Sequence, residues 1–269
     1  RKSCILDAGN WEGDTLTEDL DLSYRAQLKH WKFHYLVDVV APAELPITIN
    51  AIRSQQFRWN KGGAENFRKF IAPVITAKGH PIWTKINAFF HLINSSMFLN
   101  ILLVSILSVP LIYIKSAYPE LSLAYDISTL FIISTIIFFT CYWFIHKYIY
   151  GGGLRSFLQY INRFISFYTL VMGFSIHNSI AVLEGYVGKK SSFVRTPKFN
   201  KSKITDNKYA IKKISFYSFI EIALALYFLF GMYASFNIVA KVDFGLFLFH
   251  FFLFIGFSSI SYQGLKQST

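Results

Sequence analysis

Three side chains in one short stretch have the types and spacing to do chemistry together. They are Gln55, Arg58 and Trp59, in the run Gln55-Gln56-Phe57-Arg58-Trp59. The run reads as part of a single helix from Ile49 to Phe70, and helix positions three and four apart share a face. An amide, a fixed cation and a large flat ring therefore project from one side, with Gly62 and Gly63 a turn further on. Such a face can hold an anion and stack on a sugar or a base. It also suits a membrane boundary, with Trp59 as an interfacial aromatic and Arg58 snorkelling beside it. Spacing alone leaves both readings open.

A second set of candidates is acidic. Asp14-Thr15-Leu16-Thr17-Glu18-Asp19-Leu20-Asp21 opens another helix, with Thr17 at the N-cap and Leu20, Tyr24 and Leu28 as an apolar stripe. Glu18, Asp19 and Asp21 fall in its first turn. There a carboxylate either complements the helix dipole or, with a suitable pKa, accepts a proton from a reacting hydroxyl.

The elements around these residues divide the chain at about residue 80. Residues 32–40 have strand composition, with Phe33, Tyr35, Val37 and Val39 alternating onto one side. Ala41–Pro46 turns into the Arg58 helix. Residues 1–80 thus read as the closing part of a larger α/β domain. A chain that opens Arg1-Lys2-Ser3-Cys4, without Met, is expected to be a fragment.

Beyond residue 80 the sequence reads as membrane. The 269 residues are 53% hydrophobic and include 29 Phe, and the apolar residues fall in long runs. Spans are expected at about 86–114, 127–145, 214–236 and 244–262. The run 161–184 is apolar too, but Asn162, Ser166, Thr169, Gly173, His177 and Glu184 form one polar stripe along it, as in a helix lying in the interface. The formal charge of +12 could indicate nucleic acid. Its excess sits in connectors between apolar runs, so it reads as topology and no nucleic-acid partner is expected. The basic loop 185–213 and the Arg155 connector share one side only if 161–184 does not cross. Cys4 and Cys141 give no disulfide framework. His177 lacks a second ligand at metal-binding spacing. Glu221, an acid inside an apolar run, is a functional candidate or an interfacial residue paired near Lys213.

With these pieces placed, the sequence resembles the membrane-embedded glycosyltransferases of family 2. Thr17-Glu18-Asp19 resembles their Thr-Glu-Asp region, and Gln55-x-x-Arg58-Trp59 matches Gln-x-x-Arg-Trp. Phe193-x-x-Thr196-x-Lys198 matches the gating-loop pattern Phe-x-x-Thr-x-Lys, with Arg195 where cellulose synthases typically carry Val. The surrounding residues look closest to bacterial relatives of the cellulose-synthase-like A and C proteins, which make mannan and glucan backbones.

The resemblance implies mostly α, multi-pass membrane helices with an interfacial helix, preceded by the C-terminal part of a cytosolic α/β, GT-A-like domain. It implies inverting transfer of a sugar from a nucleotide-sugar donor to a growing β-linked polysaccharide, with translocation. The alternatives are a non-processive lipid glycosyltransferase and, from another class, a transporter or channel fragment, which would show broken helices with midplane polar sites. By the resemblance Asp19 is the catalytic base, and Glu18, Gln55, Arg58, Trp59, Phe193, Thr196 and Lys198 bind substrates. A divalent metal, Mg or Mn, is expected in the full-length enzyme with its ligands outside this chain, which is expected to be inactive alone. The expected partners are the nucleotide-sugar donor, a glycan or lipid acceptor and membrane lipid. The expected location is a bacterial inner membrane, catalytic side cytosolic.

Overall fold

Thr48 starts the helix against which the other elements of the N-terminal segment pack. Its hydroxyl accepts from Ala51 N at 3.1 Å, satisfying one of the first-turn N–H groups that a helix leaves open. In the computed structural model, which describes residues 1–46, 48–129, 131–193, 216–238 and 242–266, this helix is α3 (Ile49–Thr76). It continues past Phe70 and through Pro73, and the Thr76 hydroxyl donates back to Ala72 O at 2.8 Å. Before it come α1 (Lys2–Asp7) and α2 (Glu18–Leu28); after it come α4 (Ile82–Ile93) and α5 (Met97–Ala117), joined by a 3-10 turn. Then follow α6 (Ser122–Thr129), α7 (Phe131–Tyr150), α8 (Leu154–Gly173), α9 (Ser175–Val187), α10 (Phe216–Asn237) and α11 (Phe244–Lys266).

The described residues contain no strand. The alternating run over residues 32–40 is irregular chain, with Tyr35 85% and Val37 78% exposed. Strand composition needs a partner strand to supply the ladder hydrogen bonds, and no partner is present among the described residues. The α/β character expected for residues 1–80 is therefore not seen, and that segment is helical with irregular connections.

The chain forms two units. The first gathers the described residues of Arg1–Leu102, Ser175–Ile214 and Gln263–Thr269. Its core is the apolar stripe of α2 against α3 and α4: Tyr24 packs with Phe70, Val74 and Leu92, flanked by Leu20 and Leu28. The Tyr24 hydroxyl lies 2.7 Å from His91 Nδ1, and burial pushes its pKa up to about 12. A smaller cluster, Ala8, Leu22 and Ala26 with Trp31, fixes α1 on the other side of α2.

The second unit comprises Leu103–Phe174 and Ser215–Tyr262. Phe228, Leu253, Phe257 and Ile260 are fully buried in it. Gly173 and Gly256 let α8 and α11 touch backbone to backbone, since a Cβ on Gly173 would lie 2.5 Å from Gly256 O. Ser108 Oγ lies 2.8 Å from His250 Nε2, and Lys115 pairs with Asp243 at 2.6 Å. Glu221 is completely buried here.

Among the described residues three helical stretches are long and apolar enough to cross a membrane, Ile82–Ala117, Phe216–Asn237 and Phe244–Lys266, and the pair Leu154–Gly173 and Ser175–Val187, bent by 53°, makes a fourth if it is one span. Their length and composition are those of membrane-spanning helices and make this a membrane protein. The expected stretch 127–145 falls on α6 and α7, on either side of residue 130, which lies outside the described residues. The expected interfacial helix 161–184 is not one helix. It breaks at Phe174 into α8 and α9. Its polar stripe is exposed only at the start: Asn162 and Ser166 are exposed, whereas Thr169 and Gly173, still on α8, and His177 on α9 are buried. Most of the loop 185–213, including Thr196 and Lys198, lies outside the described residues.

Candidate active site

Small residues on α3 decide what can approach it. A Cβ on Gly62 would lie 2.5 Å from the Thr17 hydroxyl, one on Gly63 would collide with Ser95, and one on Gly185 of α9 would lie 2.6 Å from Lys61 O. Gly62-Gly63-Ala64 thus admits three other segments to one turn of α3: the chain before α2, the 3-10 turn and α9. Packing at this distance is available only where side chains are absent.

The first of these segments carries Asp19. Thr17 stands at the N-cap position of α2 but makes no side-chain capping bond. Its hydroxyl instead accepts from Asn66 Nδ2 at 3.0 Å, and Leu16 N donates to Glu65 Oε2 at 2.7 Å. The helix is started by α3, not by its own cap. Asp19 follows in the first turn, exposed, with Oδ1 accepting from Leu20 N at 2.8 Å. Glu18 is half-buried beside it.

Asp21 serves another purpose. It is fully buried, accepting from Arg25 Nε at 2.6 Å and Lys69 Nζ at 2.5 Å. Lys69 also reaches Glu12 and Asp14, each at 2.8 Å. Glu12, Asp14 and Asp21 bring their carboxylate oxygens within 4.8 Å of one another, as a metal site would. An ammonium already stands among them, so this acidic cluster does not fit a divalent ion and no chemistry is assigned to one there. Burial would lower the Lys69 pKa, but hydrogen bonds to Asp14, Asp21 and Glu12 outweigh it and hold the pKa above the ordinary lysine value.

The α9 contact is made by polar residues of the run 161–184. His177 Nε2 lies 3.1 Å from Arg53 O, and Lys61, fully buried, donates to Glu184 Oε2 at 3.1 Å and Ser191 Oγ at 2.5 Å. The polar stripe of α9 faces another helix rather than water. Beyond α9 the chain runs back along α3. Arg68 meets Tyr186 O at 3.5 Å, Lys61 meets Ser191, and Arg58 meets Phe193 with its guanidinium carbon 4.6 Å from the ring centroid.

Of the residues expected at the site, Gln55 and Arg58 are partly buried and Trp59 is 49% exposed, all on α3. Arg58 Nε is buried with no hydrogen-bond partner among the described residues. Phe193 joins them, whereas Thr196 and Lys198 lie outside the described residues. The sequence reading missed Lys61, Asn66 and Lys69, whose partners lie far away along the chain. Their spacing on α3 after Arg58 was the available signal.

The sequence profile described as Glycosyl transferase family group 2 matches residues 1–150. The chain belongs to this family. It is similar to glucomannan 4-beta-mannosyltransferase 1 of Oryza sativa subsp. japonica, 45% identical over 91 residues, which is 34% of this chain and 18% of the relative. It is also similar to probable glucomannan 4-beta-mannosyltransferase 4 of the same plant, 41% identical over 108 residues, 40% of this chain and 19% of the relative. Glucomannan 4-beta-mannosyltransferase 9 of Arabidopsis thaliana is 42% identical over 90 residues, 34% of this chain and 17% of the relative. The matched stretch thus spans 19% or less of the length of these three curated relatives. No solved structure matches the chain.

Proposed function

We propose that this chain supplies the acceptor-side and membrane parts of an inverting glycosyltransferase that extends a β-linked polysaccharide from a nucleotide-sugar donor. The observation that carries the reading is the meeting of three motifs on α3. Thr17 is seated at Gly62 and Asn66, and Phe193 on Arg58, with Trp59 beside it. The family name and the mannosyltransferase relatives support the reaction class.

In this reading Asp19 takes the proton of the acceptor hydroxyl as that oxygen attacks the anomeric carbon. The bond from that carbon to the diphosphate breaks, and the nucleoside diphosphate leaves. Asp19 stands exposed in the first turn of α2, where its carboxylate oxygen can accept that proton. Arg58, whose buried Nε–H has no hydrogen-bond partner among the described residues, offers its fork to the diphosphate oxygens. Trp59 stacks on the apolar face of the acceptor sugar, Gln55 and Glu18 hydrogen-bond the substrates, and Thr196 and Lys198 close over the donor. A divalent ion, when bound, would neutralise diphosphate charge; its ligands are other residues than the acidic cluster at Lys69. In this reading the enzyme sits in a bacterial inner membrane with the site cytosolic, and its product is translocated.

The test uses the full-length enzyme. Arg58→Lys keeps the charge but loses the fork, so inhibition of sugar transfer by nucleoside diphosphate should weaken roughly tenfold or more, as loss of a charge-assisted hydrogen bond implies. Trp59→Ala should raise the acceptor KM and leave that inhibition unchanged. Unaltered inhibition in Arg58→Lys contradicts the assignment.

A further inference from the structure

A polar cavity of about 240 Å³ opens in the first unit, beside the second half of α3. Thr15, Glu65, Arg68, Lys189, Lys190 and Ser191 line it. None belongs to the three motifs. Arg68 follows Arg58 on the same helix, about 15 Å further along the axis at ~1.5 Å per residue.

The cavity is supplied with donors. Arg68 makes one hydrogen bond among the described residues, from Nη1 to Tyr186 O at 3.5 Å, whereas a guanidinium carries five N–H donors. Gly188, at φ +78°, makes room for that guanidinium, because a Cβ there would collide with it. Thr15 is 8% exposed and its Oγ1 is buried with no partner among the described residues. Ser191 Oγ accepts from Lys61, leaving its own proton to donate. Lys190 adds an exposed charge. Two acids also line the cavity: Asp14 is bound by Lys69 at 2.8 Å, and Glu65 accepts from Leu16 N at 2.7 Å and lies within the field of Lys61 and Arg68.

We propose that this cavity binds a phosphate group, through the Arg68 fork, the Thr15 and Ser191 hydroxyls and the charge of Lys190. Donors from three separate segments suit a group with several outward oxygens better than a planar carboxylate. The site is distinct from the diphosphate position at Arg58 and does not depend on that reading. Two sources share the chemistry: a soluble phosphate compound and the headgroup of an anionic lipid.

The probe is radiolabelled orthophosphate, measured by equilibrium dialysis on full-length protein in phosphatidylcholine nanodiscs. An Arg58→Gln background removes the other anion position, so the two proposals stand or fall separately. Arg68→Gln should weaken binding roughly 10- to 100-fold, the equivalent of one charge-assisted hydrogen bond. Lys190→Gln, at an exposed position, should weaken it by a few fold and guards against misfolding of the first variant. Glu65→Gln, which keeps an acceptor for Leu16 N and removes a negative charge, should tighten it. If phosphatidylglycerol nanodiscs abolish orthophosphate binding while phosphatidylcholine ones allow it, the occupant is a lipid headgroup; equal binding in both makes it a soluble phosphate. No saturable binding in phosphatidylcholine, or binding indifferent to both Arg68→Gln and Lys190→Gln, overturns the proposal.

Discussion

Arg58 on α3 lies over the ring of Phe193, its guanidinium carbon 4.6 Å from the ring centroid. The two residues belong to different motifs far apart in sequence. Their contact ties the chain that leads to Thr196 and Lys198 to the Gln-x-x-Arg-Trp helix. A half-exposed cation–π contact is worth about 0.5–1 kcal/mol, small enough to be broken and remade readily. Phe193→Leu in the full-length enzyme should therefore weaken nucleoside diphosphate inhibition about two- to fivefold, the rate equivalent of that energy. The same substitution in an Arg58→Lys background should have a smaller effect, which a double-mutant cycle on the inhibition constant measures.

Gly185→Ala should destabilise the protein. Its Cβ would lie 2.6 Å from Lys61 O and 2.7 Å from Ala64 Cβ, where backbone cannot easily yield. Overpacking of this kind costs about 1–3 kcal/mol. Gly13→Ala, with nothing within 4 Å, is the control. Thermal unfolding in detergent should separate the two variants.

Lys69 gives a prediction in pH. Its pKa is raised above the ordinary 10.5 by Asp14, Asp21 and Glu12, against the opposing effect of burial. A lysine with a raised folded-state pKa contributes stability that is fully present below the unfolded value and is lost as pH rises through the folded one. Lys69→Gln should lower Tm by a constant amount from pH 7 to about 10, and the gap should narrow only above about 10.5. A gap that closes near neutrality would mean that the ammonium does not hold the acidic cluster together.

The loop beyond Phe193 is tested by a pair of lysines. If Lys198 closes on the donor, Lys198→Ala should reduce transfer and nucleotide affinity while Lys203→Ala does little. A single cysteine at Ser202, with Cys4 and Cys141 replaced, reports the side of the membrane. Labelling in intact cells by an impermeant thiol reagent places the loop outside and ends the gating role.

Local periodicity made part of this legible. The Ile49 helix, the shared face of Gln55, Arg58 and Trp59, and the α2 stripe through Tyr24 all follow from spacing within a few turns. The partners did not. Lys61 finds Glu184, Asn66 finds Thr17 and Lys69 finds Asp21 through tertiary packing that no local window contains. The strand reading went wrong for that reason: the alternation over residues 32–40 signals a strand only where a second strand is at hand. The run 161–184 is broken at Phe174, and His177 and Glu184 of α9 find their partners on α3. Thr17 was placed correctly at an N-cap, yet its hydroxyl is spent on Asn66 because Gly62 lets the two segments touch.

The most direct test of the account is the turnover of Asp19→Asn in purified full-length enzyme, measured as radiolabelled sugar transferred from the nucleotide sugar. The substitution preserves shape and removes the base. Transfer should fall roughly 10²- to 10⁴-fold, the range for loss of general-base catalysis, with nucleoside diphosphate affinity unchanged. Turnover near that of the wild type would remove Asp19 from the mechanism and with it the reading of this site as a glycosyl-transfer centre.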